Sequence, residues 1–410
     1  MPFEGIRITD FGQFWAAPYA TSYLASLGAE VIKVESIQRP DAYRFGPKIS
    51  DECWEKFAHF NTVNVSKLGV TLDLTRPRGI ELAKELIKTS DVVVDNYSPR
   101  VMKNFGLDYE ELRKVKPDII VASLPSHGLT GPWSDYVGFG PAFEQACGFA
   151  YLSGYKNDDM RFLIGGAADP IAGTHAVFAI LAALEYRRKT GKGQLIDISQ
   201  VEACTMFLGP AILDYSMNKR IQGPMGNEDP AMAPHGIYPC KENDTWIAIA
   251  IETDADWKVL CRILGRRELA DDQNFSTINE RWNNQEKLKD IISEWSKKYT
   301  PYEAMQILQK AGIAAGAVNK YWETHEDPHL QDRDYFYKLE RAFVLGKQIY
   351  NSWPAKFSAT NMKYRPAPTL GEHNDYVLGK ILKLSKDEID KLKEDNIIGN
   401  KPKADPNRSK

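Results

Sequence analysis

Residues 5–35, GIRITDFGQFWAAPYATSYLASLGAEVIKVE, decide the fold because they read as one complete strand–helix–strand unit. Apolar residues within 6–8 and 31–34 predict two short strands. Between them, the alanine-rich residues 17–27 predict a helix that Gly28 ends. Parallel strands need a crossover connection of this kind, so the segment predicts a βαβ unit.

The same alternation continues to residue 217. Further strands are predicted at residues 70–74, 92–94, 119–121 and 195–198. Further helices are predicted at residues 76–88, 108–115, 170–188 and 201–215. Thr75 is expected to cap the first of these helices. The alternation predicts an α/β fold, in which helices cover both faces of a parallel sheet.

The character of the sequence changes after residue 217. Residues 218–236 are rich in glycine and proline and lack periodicity, which is typical of a linker. Residues 236–240 and 246–251 flank a polar turn and predict a β-hairpin. Helical patterns follow at residues 254–264, 284–298 and 301–311, and again at 386–397. The region up to residue 318 therefore predicts a second, smaller α+β domain.

The composition excludes several classes of protein. Of 410 residues, 43% are hydrophobic and 26% are charged, which excludes wholesale disorder. A formal net charge of −3 argues against a nucleic-acid binder with a global basic field. No apolar run approaches the ~18–20 residues of a membrane span. Because the five cysteines are scattered and the first residues do not resemble a signal peptide, we expect a cytoplasmic protein without nucleic-acid or membrane partners.

Several common kinds of site lack their motifs. The loop after the first strand has one glycine, Gly12, followed by bulky aromatic residues, so it is not the Gly-x-Gly-x-x-Gly loop of a dinucleotide site. None of the seven histidines has metal-ligand spacing with a cysteine or a second histidine, so we expect no metal. No Gly-x-Ser-x-Gly motif indicates a serine nucleophile.

The most suggestive segment is LIGGAADPI at residues 163–171. Small residues precede Asp169 and Pro170, and an alanine-rich helix follows. In a purely structural interpretation, Asp169 is the N-cap and Pro170 the first helical residue. In a functional interpretation, the helix N-terminus keeps the carboxylate ionised, the small residues leave room for a substrate, and the carboxylate acts as a nucleophile. The spacing alone leaves both interpretations open.

A series of short motifs runs along the chain in a fixed order. They are Ala17-Pro18, residues 27–35, Asn64-x-x-Lys67, residues 71–74, residues 95–99, Gly128-x-x-Gly131-Pro132, residues 180–184, Arg188-x-Thr190-Gly191-x-Gly193-Gln194, residues 235–238 and residues 370–373. In this order the chain resembles the family III CoA-transferases of the CaiB/BaiF type, which include formyl-CoA:oxalate and carnitine CoA-transferases.

The resemblance implies an unusual architecture. A Rossmann-like large domain is built from both termini, here residues 1–217 and 336–410. The smaller α+β domain spans residues 237–318, with linkers at 218–236 and 319–335. Two chains then form an interlocked dimer, either a homodimer or a heteromer with a paralogous subunit.

The resemblance also implies a reaction and its nucleophile. Asp169 stands at the position of the family's catalytic aspartate. It would attack an acyl-CoA thioester, form a mixed anhydride and then an aspartyl-CoA thioester, and pass CoA to an acceptor acid. The substrates are then an acyl-CoA and a carboxylic acid, and no cofactor is needed beyond the CoA thioesters themselves.

Further site residues are carried over from matching or neighbouring positions. Expected contacts of CoA are Trp15, Arg39, Leu72, Asn96, Tyr97, Pro99, Arg100, Lys103 and Asn104. Arg44 is a further candidate for its phosphates. Expected acyl-pocket residues are Phe14, Trp15, Phe139 and Phe143.

The aromatic, charge-poor pocket favours an apolar or aryl acid. The segment around Phe139 most resembles branches that act on benzylsuccinate-like aromatic dicarboxylates with succinyl-CoA as the donor. Two alternatives remain. An α-methylacyl-CoA racemase needs a proton donor and acceptor before the central helix, where residues 137–143 carry no ionisable group. A non-catalytic structural subunit of a heteromer is the other.

Overall fold

A parallel sheet of six strands forms the centre of the computed structural model, which describes residues 1–45, 52–156, 166–341 and 346–403. In chain order its strands are β1 (Arg7–Asp10), β2 (Glu30–Glu35), β3 (Leu68–Thr71), β4 (Val92–Asp95), β5 (Ile120–Ser123) and β6 (Leu195–Asp197). Their spatial order is β3-β2-β1-β4-β5-β6. The order reverses between β1 and β4, so the loops that follow these two strands meet at the point where such sheets bind ligands. The predicted parallel α/β fold is confirmed.

Helices connect and cover these strands. They are α1 (Ala16–Ser26), α2 (Ala58–Val63), α3 (Pro77–Lys88), α4 (Pro99–Asn104), α5 (Tyr109–Val115), α6 (Gly140–Cys147), α7 (Phe149–Leu152), α8 (Ala168–Thr190), α9 (Gln200–Thr205), α10 (Gly209–Asn218) and α16 (Lys386–Glu394), with α11 to α15 given below. Shorter helical turns lie at Ala42–Arg44, Cys53–Glu55, Met206–Leu208 and Tyr376–Ile381.

Two sequence predictions fail at helix ends. The single helix predicted at residues 201–215 is interrupted, because Pro210 has no backbone N–H to continue it and instead occupies the first turn of α10. Thr75 does not cap α3: its hydroxyl donates to Asp73 Oδ1 at 2.6 Å, and Arg76 is the residue before the helix.

The valine run of β4 shows why the sheet is covered on both faces. Val93 packs into one apolar cluster, and Val92 and Val94 pack into the cluster on the opposite face. The first cluster also contains Val377 and Leu392, so the chain beyond residue 370 returns to this sheet. A strand with alternate residues buried on both faces needs a continuous apolar run, which is what the sequence provides.

The chain divides into two compact units. The first contains Met1–Ala150, Phe162–Ile221 and Tyr335–Lys410, and the second contains Tyr151–Arg161 and Gln222–Asp334. The first unit therefore takes chain from both termini. Residues 151–156, expected in the large domain, belong to the second unit.

The second unit has its own antiparallel sheet, in the order β7 (His235–Pro239), β8 (Trp246–Ala250) and β9 (Ala314–Val318). Its helices are α11 (Asp254–Leu264), α12 (Ile278–Asn283), α13 (Gln285–Ser296), α14 (Pro301–Lys310) and α15 (Pro328–Asp332). Trp257 and Leu288 are buried in its core. The predicted hairpin and its three helical patterns are confirmed. In the first unit, β10 (Phe336–Arg341) and β11 (Gly346–Asn351) form a separate antiparallel pair. Across the described ranges, no helix is long and apolar enough to cross a membrane.

Candidate active site

Asp169 is the second residue of α8, which begins at Ala168 and has Ala167 before it. The prediction that Asp169 caps this helix is wrong, because the helix starts two residues earlier than Pro170 and the carboxylate belongs to its first turn. Leu163, Ile164 and Gly165 of the same motif lie outside the described residues.

The half-buried carboxylate of Asp169 has a pKa raised to about 6, first because of burial. The backbone N–H of Ala16 acts in the opposite direction by hydrogen bonding to it, and the charge of Glu144 raises the pKa further. The helix N-terminus was expected to keep this pKa low, and burial outweighs that effect. Asp169 is still mainly ionised at pH 7, in a ratio of about ten to one.

Glu144 is a second buried carboxylate at the site, and sequence reasoning missed it. It lies on α6, is fully buried, and accepts hydrogen bonds through Oε1 from the backbone N–H groups of Gly166 (2.8 Å) and Ala167 (2.5 Å). Its Oε2 has no hydrogen-bond partner among the residues that the structure describes. Glu144 therefore holds the chain that leads into α8. Glu144 is the one charged residue of α6, and that was the signal that could have found it.

Glycines allow three elements to meet at Asp169. A Cβ on Gly140 would lie 2.5 Å from Asp169 Oδ2 and 2.7 Å from Gly166 Cα. A Cβ on Gly166 would lie 3.0 Å from the indole of Trp15. The space beside Gly166, which was expected to admit a substrate, is occupied by that indole.

A series of aromatic rings begins at Phe14, next to Trp15, and its first two contacts are edge to face. Phe14 contacts Phe139 with ring centroids 5.1 Å apart and Tyr43 with centroids 5.4 Å apart. Tyr43 contacts His59 at 5.1 Å, and the imidazole of His59 stacks on Phe57. Burial raises the pKa of Tyr43 to about 12, and the charge of Asp169 adds to the rise. Sequence reasoning missed Tyr43 and His59.

The structure brings three of the four expected acyl-pocket residues together. Phe14 and Trp15 precede α1 beside Asp169, and Phe139 is 59% exposed next to Phe14. Phe143 is instead buried, where it packs with Ala168 in a small apolar cluster. Phe143 was expected to line the acyl pocket, but its ring has no exposed face. It supports α8 instead.

Two of the residues expected to contact CoA are unavailable. Leu72 is 1% exposed and packs in the core, so its side chain is not open to a ligand. Arg44 is fully buried between Glu35 and Glu55, with its guanidinium 2.7 Å and 2.8 Å from their carboxylates. It stabilises the fold and is not open to a phosphate.

The other expected CoA contacts lie at the surface or near the edge of the sheet. Exposed side chains are Arg39, Arg100, Lys103 and Asn104. Tyr97 and Pro99 follow β4 and are half-buried. The side-chain amide of Asn96 makes two hydrogen bonds with the backbone of Gln13, each 2.8 Å long. Its oxygen accepts from the Gln13 N–H, and its nitrogen donates to the Gln13 carbonyl. Contact of these residues with CoA stays a prediction. Among the residues the structure describes, no group of three or more acidic, histidine or cysteine side chains could hold a metal ion.

A half-buried carboxylate beside an aromatic surface is an arrangement that can support acyl transfer, because a carboxylate can serve as a covalent nucleophile. The sequence model described as CoA-transferase family III matches residues 3–374. The chain therefore belongs to CoA-transferase family III and is a CoA-transferase.

Known proteins resemble it over nearly the whole chain. It is 30% identical to the succinate–glutarate CoA-transferase of Agrobacterium fabrum, over 93% of this chain and 96% of that protein. It is also 30% identical to the β subunit of the succinyl-CoA–L-malate CoA-transferase of Chloroflexus aurantiacus, over 97% and 98% of the two chains. The crystal structure of a CaiB/BaiF family protein from Brucella suis has a TM-score of 0.85 and 29% identity, and covers 93% of this chain and 99% of that one.

Proposed function

We propose that this enzyme transfers CoA from succinyl-CoA to a carboxylic acid, with Asp169 as the covalent nucleophile. The single observation that carries the proposal is the position of Asp169: a half-buried carboxylate, ionised at neutral pH and bordered by aromatic side chains. The names of the relatives support succinyl-CoA as the donor, since both name a succinate or succinyl-CoA substrate.

The proposed reaction proceeds in four exchanges. An oxygen of Asp169 attacks the succinyl thioester carbonyl, the C–S bond breaks, and CoA leaves as a thiolate. The thiolate attacks the Asp169 carbonyl of the mixed anhydride and releases succinate, which leaves an aspartyl-CoA thioester. The acceptor carboxylate attacks this thioester and expels CoA thiolate, which then attacks the acceptor acyl group and frees Asp169. Every atom comes from Asp169 and the substrates, so no metal or redox cofactor is required.

The acceptor we propose is a dicarboxylic acid that carries an aromatic group, such as benzylsuccinate. Exposed Phe139 and its edge contact with Phe14 provide an apolar surface for an aryl ring. His59 lies at the far side of Tyr43 with an exposed imidazole, which offers an N–H donor to a second carboxylate.

We further propose that two chains form an interlocked dimer, with an identical chain or a paralogous subunit as the partner. Large apolar side chains on α8, on the turn at Met206–Leu208 and on α10 support this proposal, because they are exposed in the single chain. They include Phe178, Met206, Phe207, Ile212, Leu213 and Met217. One relative is named as the β subunit of a heteromeric enzyme. Native mass spectrometry, after copurification from the natural host, distinguishes the two partners.

Trapping tests the covalent step. The enzyme is incubated with succinyl-CoA, the acyl-enzyme is captured with hydroxylamine or borohydride, and the modified peptide is mapped by mass spectrometry. The expected adduct is on Asp169, and Asp169→Ala is expected to abolish both the adduct and transfer. Turnover without modification of residue 169 would contradict the proposal.

A panel of acceptors tests the substrate. Transfer from succinyl-CoA is compared for benzylsuccinate, glutarate, malate, oxalate and carnitine. We expect the highest kcat/KM with the aryl dicarboxylate. Activity with oxalate or carnitine and none with an aryl acid would overturn this part and leave the Asp169 mechanism intact.

A further inference from the structure

In the loop between β1 and α1, side chains bind the backbone of three successive residues, Gly12 to Phe14. The Gly12 N–H donates to Asp10 Oδ1 at 2.8 Å, and the Gly12 carbonyl accepts from Lys33 Nζ at 2.6 Å. Asn96 binds both backbone groups of the next residue, as described above. A loop held in this way is pre-organised, which is how proteins position a reacting group.

Phe14 is the residue of this loop with an unusual backbone. Its φ is 58°, in the left-handed region that side chains with a Cβ rarely adopt. Its N–H donates to Asp41 Oδ1 at 3.1 Å, and the same oxygen accepts the Tyr43 N–H at 2.9 Å. Asp41 therefore holds Phe14 in the strained conformation while it also fixes Tyr43, which contacts the Phe14 ring.

Asp41 is itself fixed in the interior. Its side chain and that of Lys33 are both fully buried, and Asp41 Oδ2 lies 2.9 Å from Lys33 Nζ. Burial acts to lower the pKa of Lys33, but the charges of Asp41 and Asp10 outweigh it and raise that pKa, so Lys33 stays cationic. One carboxylate oxygen is thus committed to the ion pair and the other to the two backbone N–H groups.

The two residues after Phe14 contact the nucleophile and its support. The indole of Trp15 packs against Gly166, and the backbone N–H of Ala16 acts on the Asp169 carboxylate to lower its pKa. We propose that Asp41 is a positioning residue for CoA transfer: by holding Phe14 in the left-handed conformation, it places Trp15 and the Ala16 N–H against Asp169. This inference rests on the proposed role of Asp169.

Asp41→Asn tests the proposal because asparagine has only one side-chain oxygen. That oxygen cannot serve Lys33 on one side and the N–H groups of Phe14 and Tyr43 on the other, and the ammonium attracts it more strongly. We expect kcat to fall by about tenfold with little change in the KM for succinyl-CoA, since positioning acts on the reacting group.

The pH profile separates positioning from a merely structural role. Loss of the Ala16 N–H removes a donor that favours the carboxylate, so the pKa of Asp169 rises and the acid limb of kcat/KM moves to higher pH in Asp41→Asn. Glu144 on α6, Tyr43 and Cys204 on α9 are titratable groups that also interact with Asp169, and all three are retained in the variant.

A charge-balanced pair keeps the test valid if Asp41→Asn fails to fold. In Lys33→Met/Asp41→Asn no ammonium competes for the asparagine oxygen, which is then free to accept from Phe14. In Lys33→Met/Asp41→Ala the acceptor is absent. We expect the asparagine version to have a kcat about tenfold above that of the alanine version. We also expect the acid limb of its kcat/KM profile to lie at lower pH.

The outcomes separate the two claims. Equal kcat values and equal acid limbs in the charge-balanced pair, with Asp169→Ala inactive, would overturn the positioning role alone. Transfer that persists in Asp169→Ala would instead overturn the proposed function on which it rests. A higher kcat in the asparagine version, together with the shifted limb, supports the role of Asp41.

Discussion

Asp169 and Glu144 are two buried or half-buried carboxylates that act on each other across the start of α8. Glu144 binds the N–H groups of Gly166 and Ala167, which lie three and two residues before Asp169. Glu144 therefore holds the chain that leads to Asp169, and its charge also raises the pKa of Asp169. The pKa of Asp169 has two opposite effects on reactivity. A lower pKa leaves more of the carboxylate ionised at neutral pH, whereas a higher pKa makes the ionised carboxylate a stronger nucleophile.

The first prediction concerns the pH dependence of the initial acyl transfer. Only the ionised form of Asp169 attacks, and its pKa is raised to about 6, so kcat/KM should fall about tenfold per pH unit below that value. Measuring aspartyl adduct formation from succinyl-CoA excludes titration of the acceptor acid. An acid limb near pH 4, the ordinary range of aspartate, would contradict the effect of burial.

Glu144→Gln gives the second prediction. The amide oxygen still accepts from Gly166 and Ala167, while the negative charge near Asp169 is removed. The pKa of Asp169 should fall, and the acid limb should move to lower pH with the fold retained. Glu144→Ala is the matched comparison: it leaves two buried N–H groups without an acceptor and should reduce stability by about 1–3 kcal/mol. An unchanged limb in Glu144→Gln would show that the two carboxylates are not coupled.

The sequence predicts the sheet well because its information is local. The run of three valines in β4 and the glycine that ends α1 each specify an element from neighbouring residues, and the structure confirms both elements. The small residues before Asp169 likewise single out this carboxylate from neighbouring residues, and its role as the nucleophile stays a prediction. Helix ends are less certain, since an aspartate followed by proline fits a cap and a first turn equally well, and here the helix begins earlier.

The rest of the site depends on contacts between distant parts of the chain. Glu144 binds residues 22 and 23 positions away, and Asp41 binds Phe14 at a separation of 27. Arg44 shows the same limit: its positive charge suggested a phosphate contact, but Glu35 and Glu55 enclose it after folding. No local pattern in the sequence indicates that an arginine will be buried between two acidic side chains.

Asp169→Asn should make the protein more stable while it abolishes transfer. The pKa of Asp169 in the fold exceeds that of an unfolded aspartate, so the folded state binds the proton more tightly and ionisation destabilises it. This penalty is absent below about pH 4 and complete above about pH 6. Because the carboxylate is only half-buried, the expected gain at pH 7 is about 1 kcal/mol. Thermal unfolding of both proteins at several pH values measures this gain. The difference in stability should vanish at pH 4, and a difference that persists there would have another origin.

Gly140→Ala should disrupt the site by crowding. The new methyl group would lie 2.5 Å from Asp169 Oδ2, and α6 would have to move away from α8. We expect kcat to fall by at least about tenfold, because small displacements of a nucleophile are costly. Gly316→Ala is a control in the second unit, where a Cβ meets nothing within 4 Å. Equal activity of the two variants would show that α6 adjusts without moving Asp169.

Phe139→Ala should change the choice of acceptor more than the rate of the chemistry. The ring is 59% exposed and meets Phe14 edge to face, so its removal takes away apolar surface for an aryl group. An aromatic contact of this kind corresponds to about three- to tenfold in affinity, so the KM for benzylsuccinate should rise by that factor while the KM for glutarate stays nearly constant. Phe357→Ala removes an exposed ring elsewhere in the first unit and should leave both values unchanged. A parallel rise for both acids would mean that Phe139 supports the site generally and does not select the aryl group.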